Sequence, residues 1–151
     1  MPLTIRAAVP TDIPTIVEFN CRLATETEGK TLDREIVTKG VTAALSDPHK
    51  GPYFVAEEYG QILGVSQITF EWSDWRNGWY WWLQSVYVRA DSRGKGVFRA
   101  LYDHICRLAK QDPGVLGLRL YVEIDNLDAQ QTYRKLGMNR IDFLIFQRSP
   151  I

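Results

Sequence analysis

The chain has 151 residues, 45% of them hydrophobic and 24% charged, and its 18 basic side chains balance its 18 acidic ones. This length and composition favour a single globular domain over residues 1–151 and argue against disorder. The absence of net charge gives no electrostatic support for a nucleic-acid or membrane-surface partner. The sequence also lacks a signal-peptide pattern and a run of the ~20 apolar residues that a membrane span needs, so we expect a cytoplasmic protein.

The first half of the chain carries signals for a strand, two helices and a hairpin. Thr11 or Asp12 is placed to cap a helix whose apolar positions recur at helical spacing, and this helix is expected to fray over Thr27–Lys30. Tyr59-Gly60 is a turn signal between two strand-like runs. The predicted elements are a strand over Thr4–Val9, a helix from about Ile13, a helix from about Asp33 to Leu45, and strands over Tyr53–Glu58 and Gln61–Glu71.

The second half predicts two strand–helix units and a last strand. Residues 79–88 have almost no polar interruption before Gln84, as expected for a central strand covered on both faces. Asn126 is placed to cap the last helix and Gly137 to end it. The predicted elements are strands over Trp79–Val88, Leu118–Ile124 and Arg140–Arg148, with helices over Val97–Gln111 and from Asn126 to about Leu136. The second of these strands should run parallel to the first, which predicts an α/β fold with a mixed sheet.

The run Arg93-Gly94-Lys95-Gly96 lies between a predicted strand and a predicted helix. Glycines allow a tight turn and close approach of a ligand, and the helix start offers unpaired N–H groups, so the run is suited to bind a diphosphate. An ordinary solvated loop is the alternative. The sequence of this run matches neither a P-loop nor the G-x-G-x-x-G fingerprint. Cys21, Cys106, His49 and His104 show no metal-ligand spacing, so we expect no metal.

Two motifs together resemble the GNAT superfamily of N-acetyltransferases over essentially the whole chain. The first is the family's phosphate loop, which corresponds here to residues Arg93 to Phe98. Its pattern is Arg or Gln, then two variable residues, a Gly, one variable residue, and finally Gly or Ala. The second is carried by Asn126, Ala129, Tyr133, Gly137 and Met138. Phe98 stands where the family usually has Gly or Ala, and Gln84 stands where many members carry a Glu. The resemblance implies the order β-α-α-β-β-β-α-β-α-β, with a mostly antiparallel sheet splayed between two parallel strands.

The resemblance also implies direct transfer of acetyl from acetyl-CoA to a primary amine in a ternary complex. Tyr133 is the expected proton donor to the leaving thiolate. The candidates for removing the amine proton are Glu71, Glu123 or a water chain ordered by Gln84 and Ser85. The expected acetyl-CoA contacts are Val86, Tyr87, Val88, Arg93, Gly94, Lys95, Gly96, Val97, Phe98, Arg99, Asn126, Ala129 and Tyr133.

The acceptor pocket is expected near a tryptophan-rich turn. Trp72 and Trp75, with Asp74, Glu26 and Glu28, would hold a cationic amine through aromatic and charge contacts. The remaining tryptophans are interpreted as core filling or a dimer face. This region is weakly similar to the diamine and polyamine acetyltransferase branch.

Three functions therefore remain open. The first, which we favour, is acetylation of a small-molecule amine. The second is acetylation of a protein N-terminus or lysine, and the third is a non-catalytic acyl-CoA-binding domain. A homodimer is an expectation from the family alone.

Overall fold

A computed structural model describes residues 2–151, which fall into two units, one ending at Leu120 and the other beginning at Tyr121. The first unit contains strand β1 (Thr4–Ala7), helices α1 (Ile13–Glu28) and α2 (Arg34–Ser46), strands β2 (Tyr53–Glu58), β3 (Gln61–Ser73) and β4 (Gly78–Val88), helix α3 (Val97–Gln111) and strand β5 (Val115–Leu120). The second unit contains helix α4 (Leu127–Lys135). These bounds agree with the predicted elements to within a few residues, apart from the differences described below.

The strands of the first unit form one five-stranded sheet in the order β1-β2-β3-β4-β5. Neighbours from β1 to β4 pair antiparallel, whereas β5 pairs parallel with β4 over Trp79–Leu83. Helix α3 is the crossover that parallel pairing requires. The mixed sheet and the parallel crossover confirm the predicted fold class.

The two faces of the sheet carry separate apolar cores. Helices α1 and α2 cover one face, and helix α3 covers the other. Strand β4 contributes to both, as its nearly continuous apolar sequence predicts. The first core contains Ile16, Val17, Phe19, Val41, Ala44, Tyr53, Val55, Val65 and Tyr87. The second contains Phe54, Ala56, Ile68, Leu83, Val97, Leu101 and Ile105.

A buried carboxylate connects the first strand to α1. Asp12 precedes α1 in the N-cap position, but its side chain does not cap the helix. Its carboxylate instead accepts two hydrogen bonds from the Arg6 guanidinium, at 2.7 and 3.1 Å, and one from the Val9 N–H at 2.8 Å. The predicted cap is therefore correct in position but not in its hydrogen bond. Asp33 does cap α2, because its carboxylate accepts from the N–H groups of Glu35 and Ile36.

Strand β5 lies earlier than predicted: it begins at Val115 rather than near Leu118 and ends at Leu120 rather than Ile124. The reason is a tight turn in which the Asp112 carboxylate accepts from the Gly114 N–H at 2.9 Å. The Gly114 carbonyl then accepts from the Trp79 N–H at 2.8 Å, which starts the pairing with β4 at once. Gly117 lies inside β5, and a glycine weakens a strand signal in the sequence.

No regular strand is assigned to residues 140–148, where the last strand was expected. A strand is defined by hydrogen bonds to a partner, and the unit from Tyr121 to Ile151, taken by itself, holds no second extended segment paired with this one. Helix α4 of the same unit agrees with the prediction at both ends. Asn126 accepts from the Ala129 N–H at 3.1 Å, and the N–H groups of Gly137 and Met138 donate to carbonyls of the last turn.

We predict that Asp12→Asn lowers the free energy of unfolding by about 2–3 kcal/mol, because it removes the charge of a nearly buried carboxylate that the partly exposed Arg6 binds through two hydrogen bonds. Arg6 holds the pKa of Asp12 below its usual value. A depressed carboxyl pKa contributes stability that is present above the unfolded pKa of ~3.9 and is lost as the pH falls through the folded pKa. Urea titrations should therefore show the difference at pH 7 and a smaller one below about pH 4.

The matched control is Glu35→Gln, which breaks the exposed pair with Lys39. It should cost less than about 0.5 kcal/mol at either pH. An Asp12→Asn variant as stable as the parent at pH 7 would contradict the structural role given to this carboxylate.

Candidate active site

The site is organised by a β-bulge in β4. Val65 pairs with Tyr87 and Gln67 pairs with Gln84, so Ser66 alone lies opposite two residues of β4, Ser85 and Val86. Ser85 has a φ of 48°, in the left-handed region that a serine rarely adopts. A bulge of this kind reorients side chains and backbone groups, and such bulges are frequent beside active sites.

The bulge changes the face to which β4 side chains point. In a regular strand Leu83 and Tyr87 would share a face, because side chains alternate with a period of two. Here Leu83 packs in the core under α3, whereas Tyr87 packs in the core under α1 and α2. Gln84, opposite Gln67, lies on the α1 side, next to the point at which the strand changes direction.

Polar, uncharged side chains surround the bulge on the α1 side. Asn20 donates from Nδ2 to the Tyr53 hydroxyl at 3.3 Å, and this hydroxyl also hydrogen-bonds the side chain of Ser85. Gln84 donates from Nε2 to Thr69 Oγ1 at 3.4 Å. Burial raises the pKa of Tyr53, so the phenol stays protonated at neutral pH. We call Asn20, Tyr53, Thr69, Gln84 and Ser85 the bulge cluster.

The loop between β4 and α3 adopts the geometry expected of an anion site. Gly94 and Gly96 have φ values of 74° and 83°, which glycine adopts without strain. Gly96 is the N-cap of α3 and has no side chain to cap it, so the first turn of the helix presents its N–H groups to a ligand. Lys95 is exposed in the same loop, so two glycines, a cation and a helix N-terminus occur together.

Arg93 is held at the base of this loop by three contacts. Its Nη2 donates to Glu26 Oε2 at 2.6 Å, and its Nε donates to the Val88 carbonyl at 3.0 Å. Its guanidinium also lies 5.3 Å from the centre of the Tyr87 ring. The Tyr87 hydroxyl donates to the other oxygen of Glu26 at 3.1 Å. Arg93 holds the pKa of Glu26 below its usual value, so this carboxylate is ionised at neutral pH.

A second ion pair lies on the other side of the bulge cluster. Glu71 Oε1 accepts from Arg119 at 2.9 Å and from the Trp82 indole at 3.1 Å. The Arg119 guanidinium lies 3.6 Å from the centre of the Tyr80 ring. Strand register places this group on the same face as Gln84, because Glu71 lies opposite Tyr80 and Trp82 lies opposite Arg119. Glu71, a predicted base, is therefore held in an ion pair.

The structure separates the predicted acceptor residues. Trp72, Asp74 and Trp75 lie at the far end of the β3–β4 hairpin, and the Trp72 ring packs against Trp79 at 5.0 Å. Trp79 precedes the end of β4 by nine residues, or ~30 Å at ~3.3 Å per residue. Glu28 pairs with Lys30 rather than with a residue of the bulge cluster. Of this predicted group only Glu26 borders the phosphate loop.

The remaining predicted cofactor contacts lie along the same segment. Val86 lies in the bulge, and Val97, Phe98 and Arg99 form the first turn of α3. Arg99 pairs with Asp103 at 3.1 Å, and the Phe98 ring is tilted against Tyr102 at 6.2 Å.

Four residues of this region were missed by sequence reasoning: Asn20, Tyr53, Thr69 and Arg119. Each lies on an element whose pattern indicates only a helix or a strand, and the bulge that brings the first three together depends on pairing between strands. A polar residue at a core-facing position, such as Asn20 within an apolar helix face, was the one available signal.

The second unit holds the other motif. Ala129 lies in the first turn of α4, capped by Asn126, and Tyr133 lies one turn further on. Burial raises the pKa of Tyr133, so its hydroxyl is protonated at neutral pH. Glu123 lies before the helix, where its carbonyl accepts from the Gln130 side chain at 3.2 Å.

Comparison with known proteins identifies the family. The model of the acetyltransferase (GNAT) family matches residues 15–138. The chain belongs to the GNAT acetyltransferase family. A possible acetyltransferase from Clostridium difficile 630 is 42% identical, with a TM-score of 0.93 and coverage of 100% of this chain and 99% of that one. No curated protein sequence matches the chain.

Two more distant structures share the fold. A predicted acetyltransferase with acetyl-CoA from Clostridium acetobutylicum is 21% identical, with a TM-score of 0.79 over 97% of this chain and 96% of that one. AAC(6')-Iy in complex with the bisubstrate analogue CoA-S-monomethyl-acetylneamine is 17% identical, with a TM-score of 0.79 over 100% of both chains. Among residues 2–151, no helix combines the length and hydropathy needed to cross a membrane, and no cluster of metal-binding side chains occurs.

We predict that Gly94→Ala and Gly96→Ala each lower the free energy of unfolding by about 1–2 kcal/mol, because their positive φ values are costly for a residue with a Cβ atom. A Cβ at either position meets no atom within 4 Å, so strain is the only expected cost. The control is Gly40→Ala inside α2, where a Cβ also meets nothing and the change should stabilise by about 0.5–1 kcal/mol. Equal effects at all three positions in denaturant titrations would contradict this assignment.

Proposed function

We propose that the protein transfers acetyl from acetyl-CoA to a primary amine of a small molecule. The observation that carries the proposal is the phosphate loop at the start of α3, which follows directly from the strand that holds the bulge cluster. A diphosphate at the helix start would place the rest of an extended cofactor within reach of β4. The family membership supports the acyl transfer, and the acetyl donor and the amine acceptor are our proposals.

The residues of the loop fit the cofactor. The open space around Gly94 and Gly96 leaves room for phosphate oxygens, and the N–H groups of the first turn of α3 supply donors. Arg93 and Lys95 add positive charge. The Phe98 ring lies 6.2 Å from the Tyr102 ring, one turn further along α3.

The proposed reaction is direct attack by the neutral amine nitrogen on the thioester carbonyl carbon. The new N–C bond forms as the C–S bond breaks, and the CoA thiolate leaves. Tyr133 is the proposed donor of a proton to this thiolate, and its raised pKa supports the protonated form. After the attack the nitrogen loses its one excess proton through water ordered by Gln84 and Ser85 at the bulge, and a proton from solvent restores the Tyr133 phenol.

Binding of acetyl-CoA is tested by calorimetry. We expect the parent protein to bind both acetyl-CoA and desulfo-CoA with micromolar affinity, because the diphosphate contacts do not involve the thioester. Arg93→Ala should weaken binding about tenfold, the loss expected for one charge-assisted hydrogen bond of ~1.5 kcal/mol. Lys110→Ala, which removes the same charge near the other end of α3, is the control and should leave the affinity unchanged. No binding at millimolar acetyl-CoA would refute the proposed function.

The role of Tyr133 is tested by Tyr133→Phe, which removes the hydroxyl and keeps the ring. We expect kcat to fall at least tenfold, within the ~10²–10⁴-fold range of general acid catalysis, while acetyl-CoA affinity is preserved. Tyr59→Phe, at an exposed turn residue, is the matched control. If Tyr133→Phe turned over at the parent rate with chemistry limiting, another group would have to supply the proton.

A further inference from the structure

The charged groups around the bulge cluster are already paired with one another. Glu26 on α1 binds Arg93 and Tyr87, and Glu71 on β3 binds Arg119 and Trp82. Each carboxylate is therefore matched by a guanidinium at hydrogen-bond distance. Between the two pairs lie only uncharged side chains, those of Asn20, Tyr53, Thr69, Gln84 and Ser85.

Five elements and the phosphate loop of the first unit contribute charged or titratable groups that face the bulge cluster. None of them is an unpaired carboxylate or an imidazole. Burial is the main cause that raises the pKa values of the Tyr53 and Tyr87 phenols, so both stay protonated at neutral pH and neither is a base. The groups are Glu26 and Arg22 on α1, Tyr53 on β2, Glu71 on β3, Tyr80 and Tyr87 on β4, Arg93 in the phosphate loop and Arg119 on β5.

We infer that the acceptor of this enzyme is a weakly basic small amine, whose conjugate acid has a pKa of about 8 or lower. The inference rests on the proposed function and names its substrate class. An amide and hydroxyls order water but do not take a full proton at neutral pH. A site lined in this way selects an amine that is already neutral in solution. Suitable acceptors carry an electron-withdrawing group beside the amine carbon, as amides of amino acids do.

The size of the selection follows from the neutral fraction of each amine. At pH 7 a lysine-like amine with a pKa of about 10.4 is neutral in roughly one molecule in 2,500. An α-amino group with a pKa of about 7.8 is neutral in roughly one in seven. The difference is about 350-fold in the concentration of the nucleophile before any effect of the pocket. An uncharged, partly buried site also disfavours the ammonium form, so it does not reverse this order.

The reaction balances without a protein base. The neutral amine attacks the thioester carbonyl, one N–C bond replaces one C–S bond, and the nitrogen loses one proton. The thiolate receives a proton, so the products are the N-acetylamine and CoA thiol. No net proton is released when the acceptor enters as the neutral amine.

The test compares kcat/KM across pH for glycinamide, an amine of the α-amino class, and propylamine, an alkylamine resembling lysine. We expect the midpoint of the pH profile to follow the pKa of each amine, near 8 for glycinamide and above 9.5 for propylamine. At pH 7 glycinamide should be favoured by about 100-fold or more. A midpoint that stays at one pH for both amines would show that a group of the protein accepts the proton, and it would overturn the inference.

Three variants sharpen this result. Glu71→Gln and Glu123→Gln should leave the two midpoints where they are, and a loss of the pH-dependent limb in either would identify that carboxylate as a base and overturn the inference. Gln84→Glu adds a carboxylate to the bulge cluster and should reduce the preference for glycinamide at least tenfold, since general bases contribute ~10²–10⁴-fold. An unchanged preference in Gln84→Glu would also contradict the inference. Failure to acetylate any amine, despite acetyl-CoA binding, would instead refute the proposed function.

Discussion

The bulge in β4 is the constraint on which the rest of the first unit depends. One extra residue opposite Ser66 lets a single strand contribute Leu83 to one core and Tyr87 to the other. The end of β4 thereby turns towards α1, where the Tyr87 hydroxyl meets Glu26. Without the extra residue, the side chains on one side of Ser85 would exchange faces, because strand side chains alternate strictly. The left-handed φ of Ser85 is a local cost that the two cores compensate.

Glu26 connects β4 to the phosphate loop, although its charge is unfavourable at the C-terminal end of α1. The last turn of α1 carries Glu26 and Glu28 and no basic residue, although a carboxylate near a helix C-terminus is unfavourable by about 0.3–1 kcal/mol. The contacts with Arg93 and Tyr87 offset that cost for Glu26. Because Arg93 also binds the Val88 carbonyl, one guanidinium joins the end of α1, the end of β4 and the start of the loop. The loop is thus held in place before any ligand arrives.

Much of the fold could be predicted from the sequence, because its signals are local. Helical spacing of apolar residues, Asn126 as a cap, and the turn at Tyr59-Gly60 define elements that the structure contains. The phosphate loop could be predicted for the same reason, since its glycines and the helix start are contiguous. The prediction of where β5 starts was less accurate, because Gly117 weakens the strand pattern and the Asp112 turn has no strong sequence signal.

The surroundings of the bulge cluster could not be predicted, because they depend on register between strands. Sequence places Glu71 thirteen residues before Gln84, and only the pairing of β3 with β4 shows that Glu71 lies opposite Tyr80 and near Arg119. The same register places Trp72 and Trp75 at the far end of the hairpin from Glu26, although the residue types of all three suit a pocket for a cationic amine. Residue type alone also made Glu71 a candidate base. A carboxylate bound to an arginine must give up part of that contact to accept a proton. In the first unit Glu26 and Glu71 each bind an arginine, and the side chains of the bulge cluster between them carry no charge.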